Sequence, residues 1–545
     1  MGGLGGPLDW FVQPCTNHLF PVDASRGRGN NGRRRLRHVA RGRRRGENVM
    51  GVMRFVVPQC ESLSDWPEVF RAYSSGLDRS VWPTRVEFDG QTIVCRRQNS
   101  ESSRMHVAWP VQDFGRPMLA TAMLPERETP YVLAVELARG KIVQVRNLRA
   151  ELTQADLTLP PEYHQRYAQA HREFGHAASC QDDVAKATEA ANRAIYHACH
   201  AAELLARAYS QQFLESRHQQ YDQLPTSLGC RLDNQIPEPP EQELFCSAFN
   251  SAAVPIEWQL VEPIEGQADW TAFDAQVDWC MENRLVMRGG PLIDLSPRGL
   301  PKWLWEWEQD FWNLQSFVCD FVETAVSRYI GKIRIWELAA CANSGGALVL
   351  NEEQRLTLVA KTLEVARHID EEARFVIRID QPWGEYQARG QHRLSPLHFA
   401  DALVRAGLGL SALNLEIAIG YRPRGTPSRD LLDFSSMIDR WCALGIPLHI
   451  TLAFPTSDQP DPLADSDLEV DRSAWKQPWS PSAQAQWFDM LLPLLIAKPA
   501  VAAVYWAQFS DATPHTFPHS GLIGPDGIAK PTLQHMIDYR RKHLK

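Results

Sequence analysis

The sequence has few of the features that identify metal sites, disulfide scaffolds or membrane segments. Its eleven cysteines include no CxxC pair and no Cys/His cluster at zinc spacing, so we expect neither a disulfide framework nor a structural zinc site. No apolar run approaches the roughly 18 residues of a membrane helix, and residues 1–20 lack a continuous signal-peptide core. These absences predict a cytoplasmic protein with no metal, no cofactor and no membrane partner.

The composition, in contrast, provides ample material for a large folded core. Hydrophobic residues make up 44% of the 545 positions, and 18 of them are tryptophan, as in globular proteins with well-filled interiors. The chain is too long for one ordinary domain. We therefore expect two or three structural units.

Residues 1–52 differ from the rest of the chain in their charge. Ten arginines lie between Arg26 and Arg45, among glycine and asparagine, and such a composition predicts a disordered tail. One interpretation is nucleic-acid binding through phosphate contacts. The other is a solvated extension, which is favoured because the run contains no aromatic side chains for base stacking. Nucleic acid is thus an unlikely partner, expected only through this tail.

Residues 53–160 contain short β-rich runs separated by turn signals such as Asp89-Gly90. The runs cover residues 54–58, 84–96, 105–110 and 131–146. Their spacing predicts a small β-sandwich-like domain, an architecture shared by many carbohydrate-binding modules. Trp82 or Trp109 would stack on a sugar ring if exposed, whereas in most small sandwiches such tryptophans are core residues. Residues 161–222 are helical in character, with an alanine-rich stretch at 185–209, and predict a helical connector.

Residues 223–545 alternate regularly between apolar strands and amphipathic helices. The strand candidates are residues 226–232, 244–250, 285–293, 333–342, 375–380, 413–420, 447–454 and 501–509. Eight strands alternating with helices predict an α/β fold, a (β/α)8 TIM barrel with a parallel sheet. In such a barrel, functional side chains belong at the carboxyl ends of the strands.

The runs MRGGPLI (287–293), LPKW (300–303) and YW (505–506) follow one another in this region, and they resemble motifs of glycoside hydrolase family 10, the family of endo-1,4-beta-xylanases. Residues 249–274 resemble its second strand and the loop and helix that follow. The runs MRGGPLI (287–293) and LPKW (300–303) resemble its third-strand RGHxLVW motif and the P-x-W after it. The run YW (505–506), with residues 522–531, resembles its eighth strand and closing motif.

The resemblance implies a barrel that binds or cleaves a β-1,4-linked glycan such as xylan, with a polysaccharide or oligosaccharide as partner. It implies substrate-binding roles for Trp258, Arg288, Trp303 and Trp506. The family's RGH histidine is Gly290 in this sequence, so part of the sugar site departs from the pattern.

The catalytic motifs depart further from the family. Retaining glycosidases need two carboxyl groups about 5 to 5.5 Å apart, a proton donor and a nucleophile. The family's WDVVNEA motif reads WELAACA (336–342) here, which places Cys341 at the acid position. Its ITELD motif reads ITLAF (450–454), which places Leu452 at the nucleophile position. The resemblance therefore implies that both catalytic glutamates are replaced.

Other carboxylates remain near predicted strand ends. Asp380 and Glu385 lie in DQPWGEY (380–386), where Trp383 and Tyr386 are candidate sugar platforms, and Glu416 lies in the apolar run LEIAIGY (415–421). A carboxylate inside such a strand is costly unless it is paired, protonated or functional. Three interpretations of Glu416 stay open: a buried ion pair with Arg288 or Arg378, a catalytic acid, and a noncatalytic sugar contact.

The functional hypotheses follow from these alternatives. The first is a family 10-like barrel that recognises a β-1,4-linked glycan and cleaves it with Glu416, Glu385 and Asp380 as candidate catalytic residues. The second is a catalytically inactive pseudoenzyme that uses the barrel for carbohydrate binding or as a scaffold. His449, His515 and His519 are placed near the same mouth, but prolines around the last two argue against a helical metal pair.

Overall fold

The computed structural model describes residues 51–59, 66–153, 157–465, 467–473 and 475–545. Residues 1–50 of the predicted arginine-rich tail lie outside this described part, whereas Gly51 and Val52 already belong to the first strand. Met50–Lys545 form one compact unit.

Residues 51–132 form two small four-stranded sheets, here called the β region. In one, the strand order is β4-β5-β1-β8, and in the other it is β3-β2-β6-β7. Alternate side chains of β1, including Met53 and Phe55, are buried in a common core, as expected for strands with one solvated face. The strands are Gly51–Val56 (β1), Tyr73–Ser75 (β2), Val81–Trp82 (β3), Thr84–Phe88 (β4), Thr92–Arg97 (β5), Arg104–Ala108 (β6), Met118–Ala120 (β7) and Tyr131–Val132 (β8).

The strand predicted at residues 131–146 is wrong, because only Tyr131 and Val132 are extended. A helix begins at Leu133, and buried residues such as Ala138, Val145 and Leu152 recur along it at helical spacing. This helix packs with two more in the region that follows. The three helices are Leu133–Thr153 (α1), Pro161–Ser179 (α2) and Val184–His218 (α3).

The remaining residues form a closed parallel barrel, which confirms the predicted (β/α)8 fold. Eight strand positions follow one another around the sheet, and β11 pairs with β13 while β9 pairs with both β10 and β19. The strands are Ser227–Arg231 (β9), Ser251–Val254 (β10), Val286–Gly289 (β11), Ile293–Asp294 (β12), Ile335–Ala340 (β13), Arg374–Asp380 (β14), Leu410–Ala418 (β15), Tyr421–Arg422 (β16), Leu448–Ala453 (β17), Glu469–Val470 (β18) and Val501–Trp506 (β19). Strand β12 continues the third strand position of the barrel after β11. Strands β16 and β18 form a separate antiparallel pair.

The second barrel strand lies later in the chain than predicted. Residues 244–250 are wrong as a strand, because the helix that starts at Pro239 continues to Ala248, and β10 begins at Ser251. Proline is favoured in the first turn of a helix. The barrel helices are Pro239–Ala248 (α4), Trp258–Val261 (α5), Thr271–Glu282 (α6), Phe311–Arg328 (α7), Glu352–Ile369 (α8), Pro396–Arg405 (α9), Leu431–Cys442 (α10), Pro481–Ala497 (α11) and Pro531–His543 (α12). None of the helices in the described ranges is both long and apolar enough to cross a membrane.

The β region and its helices are joined to the barrel by packing and by polar contacts. Helix α3 packs against α10 and α11, and Leu432 of α10 shares a buried cluster with Val145 of α1. Lys141 forms a buried ion pair with Asp430, the N-cap residue of α10. These contacts place the β region beside the loops at the carboxyl ends of the barrel strands.

Candidate functional site

Charged side chains from neighbouring strands meet inside the barrel around Glu337, which is fully buried. Arg378 Nε donates a hydrogen bond to Glu337 Oε1 at 2.7 Å, and Asn414 Nδ2 donates to Oε2 at 2.6 Å. Arg288 Nη1 lies 3.4 Å from the same Oε2. Burial raises the pKa of Glu337, but the two arginines and these hydrogen bonds outweigh it, so the pKa lies below its usual range.

Glu416 belongs to the same network, through Arg378. Arg378 Nη1 lies 3.0 Å from Glu416 Oε2, and both side chains are nearly buried. Of the interpretations left open by the sequence, the structure therefore has the buried ion pair with Arg378. The second carboxylate oxygen of Glu416 takes no part in this pairing. Glu416 lies closer to the mouth of the barrel than Glu337 does, because it is aligned with Asp380 whereas Glu337 is aligned with Val376.

Asp380 lies beside Glu416 on the neighbouring strand. The two residues are aligned partners on the parallel strands β14 and β15, so their side chains lie on the same face of the sheet. Ser344 Oγ donates to Asp380 Oδ2 at 2.6 Å, whereas Oδ1 is buried without a partner among the described residues. Burial raises the pKa of both carboxyls, and Asp380 adds to the increase at Glu416. A close pair of carboxyls with raised pKa values is typical of acid-base sites.

The two positions aligned with the family's catalytic glutamates have different surroundings. Cys341 follows β13 with a positive φ of 53°, and burial, with Asp380 nearby, raises the pKa of its thiol well above its usual range. Leu452 packs in the large apolar core. Its neighbour Thr451 donates to Asn414 Oδ1 at 3.0 Å inside the barrel. Strand β17 carries no carboxylate on either face.

The backbone at position 290 explains why this chain has glycine where the family motif has histidine. Its φ is +109°, and a Cβ added there would lie 2.2 Å from the backbone oxygen of Glu337. A side chain at this position would require the backbone to move, because the contact is with main-chain atoms.

A cavity of about 1140 Å³ lies at the carboxyl ends of the barrel strands. We call it the mouth cavity. Its wall includes residues from the loops after six strand positions, and its volume suits several sugar rings. Lining residues that the argument uses are Ser344, Gln381, Tyr386, Arg424, Asp465 and, from the β region, Phe70 and Tyr73.

The β region supplies one wall of the mouth cavity. Phe70 lines it and is 43% exposed, a large fraction for an aromatic side chain. The neighbouring Arg71 forms an ion pair with Asp471 of the barrel, and Arg389 donates to the Phe70 backbone oxygen. Polar contacts on both sides therefore hold the Phe70 ring at the cavity.

Some side chains of the loop after β14 line the mouth cavity, and others do not. Tyr386 lines the mouth cavity and accepts a hydrogen bond from Asn343 Nδ2 at 3.2 Å. Glu385 also lines it, but its Oε1 accepts from Arg429 Nη2 at 2.6 Å. Trp383 does not line it, because its ring packs beneath the Arg429 guanidinium, 4.5 Å from the ring centroid. The structure thus brings Asp380 and Glu416 together and holds Glu385 in a separate ion pair.

None of the four positions suggested by the motifs as substrate contacts lines the mouth cavity. Trp258 is buried against Phe321, with ring centroids 4.8 Å apart, and Trp303 packs edge-on against it. Trp506 donates to the Ser520 backbone oxygen at 2.8 Å. The guanidinium of Arg288 lies 3.7 Å from the Tyr505 ring centroid, deep in the barrel. Trp109 likewise packs in a core, against Trp66.

His515 and His519 both contact Asp461, whereas His449 lies elsewhere, inside the barrel. His515 Nε2 lies 3.0 Å from Asp461 Oδ2, and the backbone nitrogen of His519 donates to the same oxygen. His449 is buried in the barrel, and burial, with Arg288 nearby, lowers its pKa to about 3. Among the described residues, no group of three or more His, Cys, Asp or Glu side chains is placed to hold a metal ion.

Sequence reasoning missed Arg424 and Phe70. Arg424 lines the mouth cavity and lies 3.0 Å from Asp465 Oδ2, and its charge acts on Cys341 and Glu416. The run RPRG (422–425), directly after a barrel strand, was the signal that would have found it. Phe70 gave no such signal, because its role depends on how the β region packs against the barrel.

Comparison with known proteins matches one family. A family model described as glycosyl hydrolase family 10 matches residues 218–377. Endo-1,4-beta-xylanase B of Thermotoga neapolitana is 22% identical over 262 residues, which cover 47% of this chain and 68% of the relative. Endo-1,4-beta-xylanase 3 of Hypocrea jecorina is 32% identical over 126 residues, which cover 22% of this chain and 35% of the relative.

Solved structures similar to this chain carry the same family description. A family 10 structure from Paenibacillus barcinonensis aligns with a TM-score of 0.45 at 17% identity, covering 61% of this chain and 98% of that one. Xylanase 10B of Thermotoga maritima aligns with a TM-score of 0.43 at 17% identity, covering 58% of this chain and 97% of that one.

Proposed function

We propose that the barrel of this chain, which is similar to glycosyl hydrolase family 10 over residues 218–377, binds a β-1,4-linked glycan such as xylan in the mouth cavity. The observation that carries the proposal is a cavity of about 1140 Å³ at the carboxyl ends of the barrel strands. Ligands of (β/α)8 barrels bind at this face.

The side chains of the mouth cavity suit a sugar chain. The exposed ring of Phe70 offers an apolar face to a pyranose ring, and Tyr386 provides a second aromatic side chain. Arg424, Asp465 and Gln381 supply donors and acceptors for sugar hydroxyls. A few placed polar groups beside aromatic surface are typical of small-molecule and oligosaccharide sites.

Binding is tested by isothermal titration of the full chain with xylohexaose. We expect Phe70→Ala to weaken binding about tenfold, because it removes one aromatic contact worth roughly 1 to 1.5 kcal/mol. The matched control is Trp312→Ala, which truncates a 76% exposed aromatic residue on α7, outside the mouth cavity. The proposal fails if the wild-type chain binds no β-1,4-linked glycan across a broad panel.

A second candidate function is hydrolysis by Asp380 and Glu416. The observation that favours it is the pairing of these two buried carboxyls on neighbouring strands, each with a raised pKa. In this mechanism the glycan reaches below the residues that line the mouth cavity, and a protonated Asp380 gives its proton to the leaving glycosidic oxygen. Glu416, whose negative charge Arg378 favours, either takes a proton from the water that attacks the anomeric carbon, or attacks this carbon itself to form a glycosyl ester that water then hydrolyses.

Hydrolysis is tested by release of reducing sugar from xylan and xylo-oligosaccharides. We expect Glu416→Gln and Asp380→Asn each to reduce release at least 100-fold while glycan binding changes less, since both act on the reacting bond. The control Glu385→Gln changes a carboxylate that is held by Arg429 instead. A wild-type chain that binds glycan and releases no sugar would reject this candidate and leave the binding proposal standing.

A further inference from the structure

A second cavity, of about 690 Å³, lies between the β region, α1 and α10. We call it the interface cavity. Its lining includes Arg79, Arg104, Trp383, Arg429 and Arg440, and a smaller cavity beside it shares Arg79, Trp383 and Arg440. Its volume lies in the range of small-molecule sites, which often occur between structural units.

Three of these arginines have no counterion. Arg79, Arg104 and Arg440 come from different elements, and none of them forms an ion pair with any residue in the described part of the chain. Burial, with repulsion from Arg79 and Arg429, lowers the pKa of Arg440 to about 10. Burial and Arg79 also lower the pKa of Arg104. The protein thus holds positive charges together in a partly desolvated space at a cost in free energy.

Buried hydrogen-bond donors at the same cavity also lack acceptors. Trp383 Nε1, Arg429 Nε and Arg440 Nε are each buried without a partner among the described residues. Trp383 is only 8% exposed. Buried donors are nearly always satisfied in folded proteins, and leaving one unpaired costs about 1 to 3 kcal/mol. Three lining residues of the cavity therefore carry donors that lack acceptors in the unliganded chain.

The acidic side chains of the lining do not fill this role. Asp430 pairs with Lys141, and Asp433 pairs with Arg429. Asp439 pairs with Lys498, Asp78 accepts hydrogen bonds from Ser80, and Glu151 is exposed. Burial lowers the pKa of His106 to about 3, so this side chain is neutral at pH 7. Among the described residues, the lining arginines without an ion-pair partner are therefore Arg104 and Arg440, which are partly buried, and Arg79, which is exposed.

We propose that the interface cavity binds a small molecule that carries a phosphate group. A phosphate supplies three acceptor oxygens and close to two negative charges, and guanidinium groups bind it in a paired, bidentate geometry. The rest of the cavity, including Trp383 and Met437, accommodates the body of such a molecule. The interface cavity shares Tyr73 and Met118 with the mouth cavity. Its arginines do not line the mouth cavity, although Glu385, the partner of Arg429, does, and the proposal does not depend on the proposed glycan function.

The test is isothermal titration of the full chain with inorganic phosphate, with glucose 6-phosphate and with glucuronate. We expect glucose 6-phosphate to bind at least tenfold more tightly than inorganic phosphate, because the cavity is larger than a phosphate ion. Equal affinity for the two would identify free phosphate as the ligand of the same site. Absence of binding for both, or binding of glucuronate alone, would overturn the proposal.

Two arginine variants test whether the phosphate compound binds in the interface cavity. Arg440→Gln and Arg104→Gln should each weaken phosphate-ester binding about tenfold or more, since each removes one charge-assisted contact. The matched control Arg405→Gln changes an exposed arginine that pairs with Asp401 outside the cavity. Because Arg104 and Arg440 make no ion pairs, both variants should keep or increase the thermal stability of the unliganded chain. Unchanged affinity in both variants would contradict the assignment.

Discussion

Glu337 neutralises two arginines inside the barrel and is itself closed off from solvent. Its contacts with Arg288 and Arg378 come from the strand positions on either side, so a single carboxylate links three parts of the sheet. The sequence offers Arg288 and Arg378 as ion-pair partners of Glu416 but does not decide between them. That choice depends on the register between β14 and β15, which no local pattern encodes.

The contacts of Glu337 with Arg288 and Arg378 give a prediction at the level of one residue. Replacing Glu337 by Gln leaves Arg288 without the charge that faces it and leaves Arg378 paired with Glu416 alone, and breaking a buried pair in this way costs about 3 to 5 kcal/mol. Urea denaturation of Glu337→Gln should show a loss of unfolding free energy of that order. The control Glu364→Gln, which breaks an exposed pair with Lys361, should lose less than about 1 kcal/mol. Equal stabilities of the two variants would contradict this view of the interior.

At the level of elements, the sequence predicts the barrel well and the connections less well. Seven of the eight strand candidates overlap observed strands, because each is a buried apolar run bounded by turn signals. Residues 131–146 and 244–250 failed for a common reason: short apolar runs fit a buried strand and a helix face equally well, and only packing decides between them. The position of the β region at the mouth cavity requires tertiary contacts such as Arg71 with Asp471, which are 400 positions apart.

The ion pair between α1 and α10 gives a prediction for these elements. Lys141→Met leaves Asp430 buried without its partner, so the free energy of unfolding should fall by about 3 to 5 kcal/mol. Since Met50–Lys545 form one compact unit, calorimetry should show a single transition that shifts as a whole. The control Lys332→Met removes an exposed pair with Asp278 and should change little. Two separate transitions, with only one shifted, would show that the helices and the barrel unfold independently.

At the level of the whole molecule, the mouth cavity is composite, with a floor and rim from the barrel and one wall from the β region. The motifs around Arg288, Trp303 and Trp506 resemble those of glycosyl hydrolase family 10, yet these side chains stabilise the barrel interior or its outer packing and do not line the cavity. Family resemblance therefore predicts the fold and the face used for binding. The residues proposed to contact the ligand, above all Phe70, depend on the arrangement of the full chain.

The most direct measurement is a crystal structure of the full chain soaked with xylohexaose. The proposed function predicts sugar rings in the mouth cavity between Phe70 and Tyr386, with hydroxyl groups within hydrogen-bond distance of Arg424 or Asp465. Sugar bound only elsewhere on the molecule, or an empty mouth cavity at a saturating concentration, would contradict it.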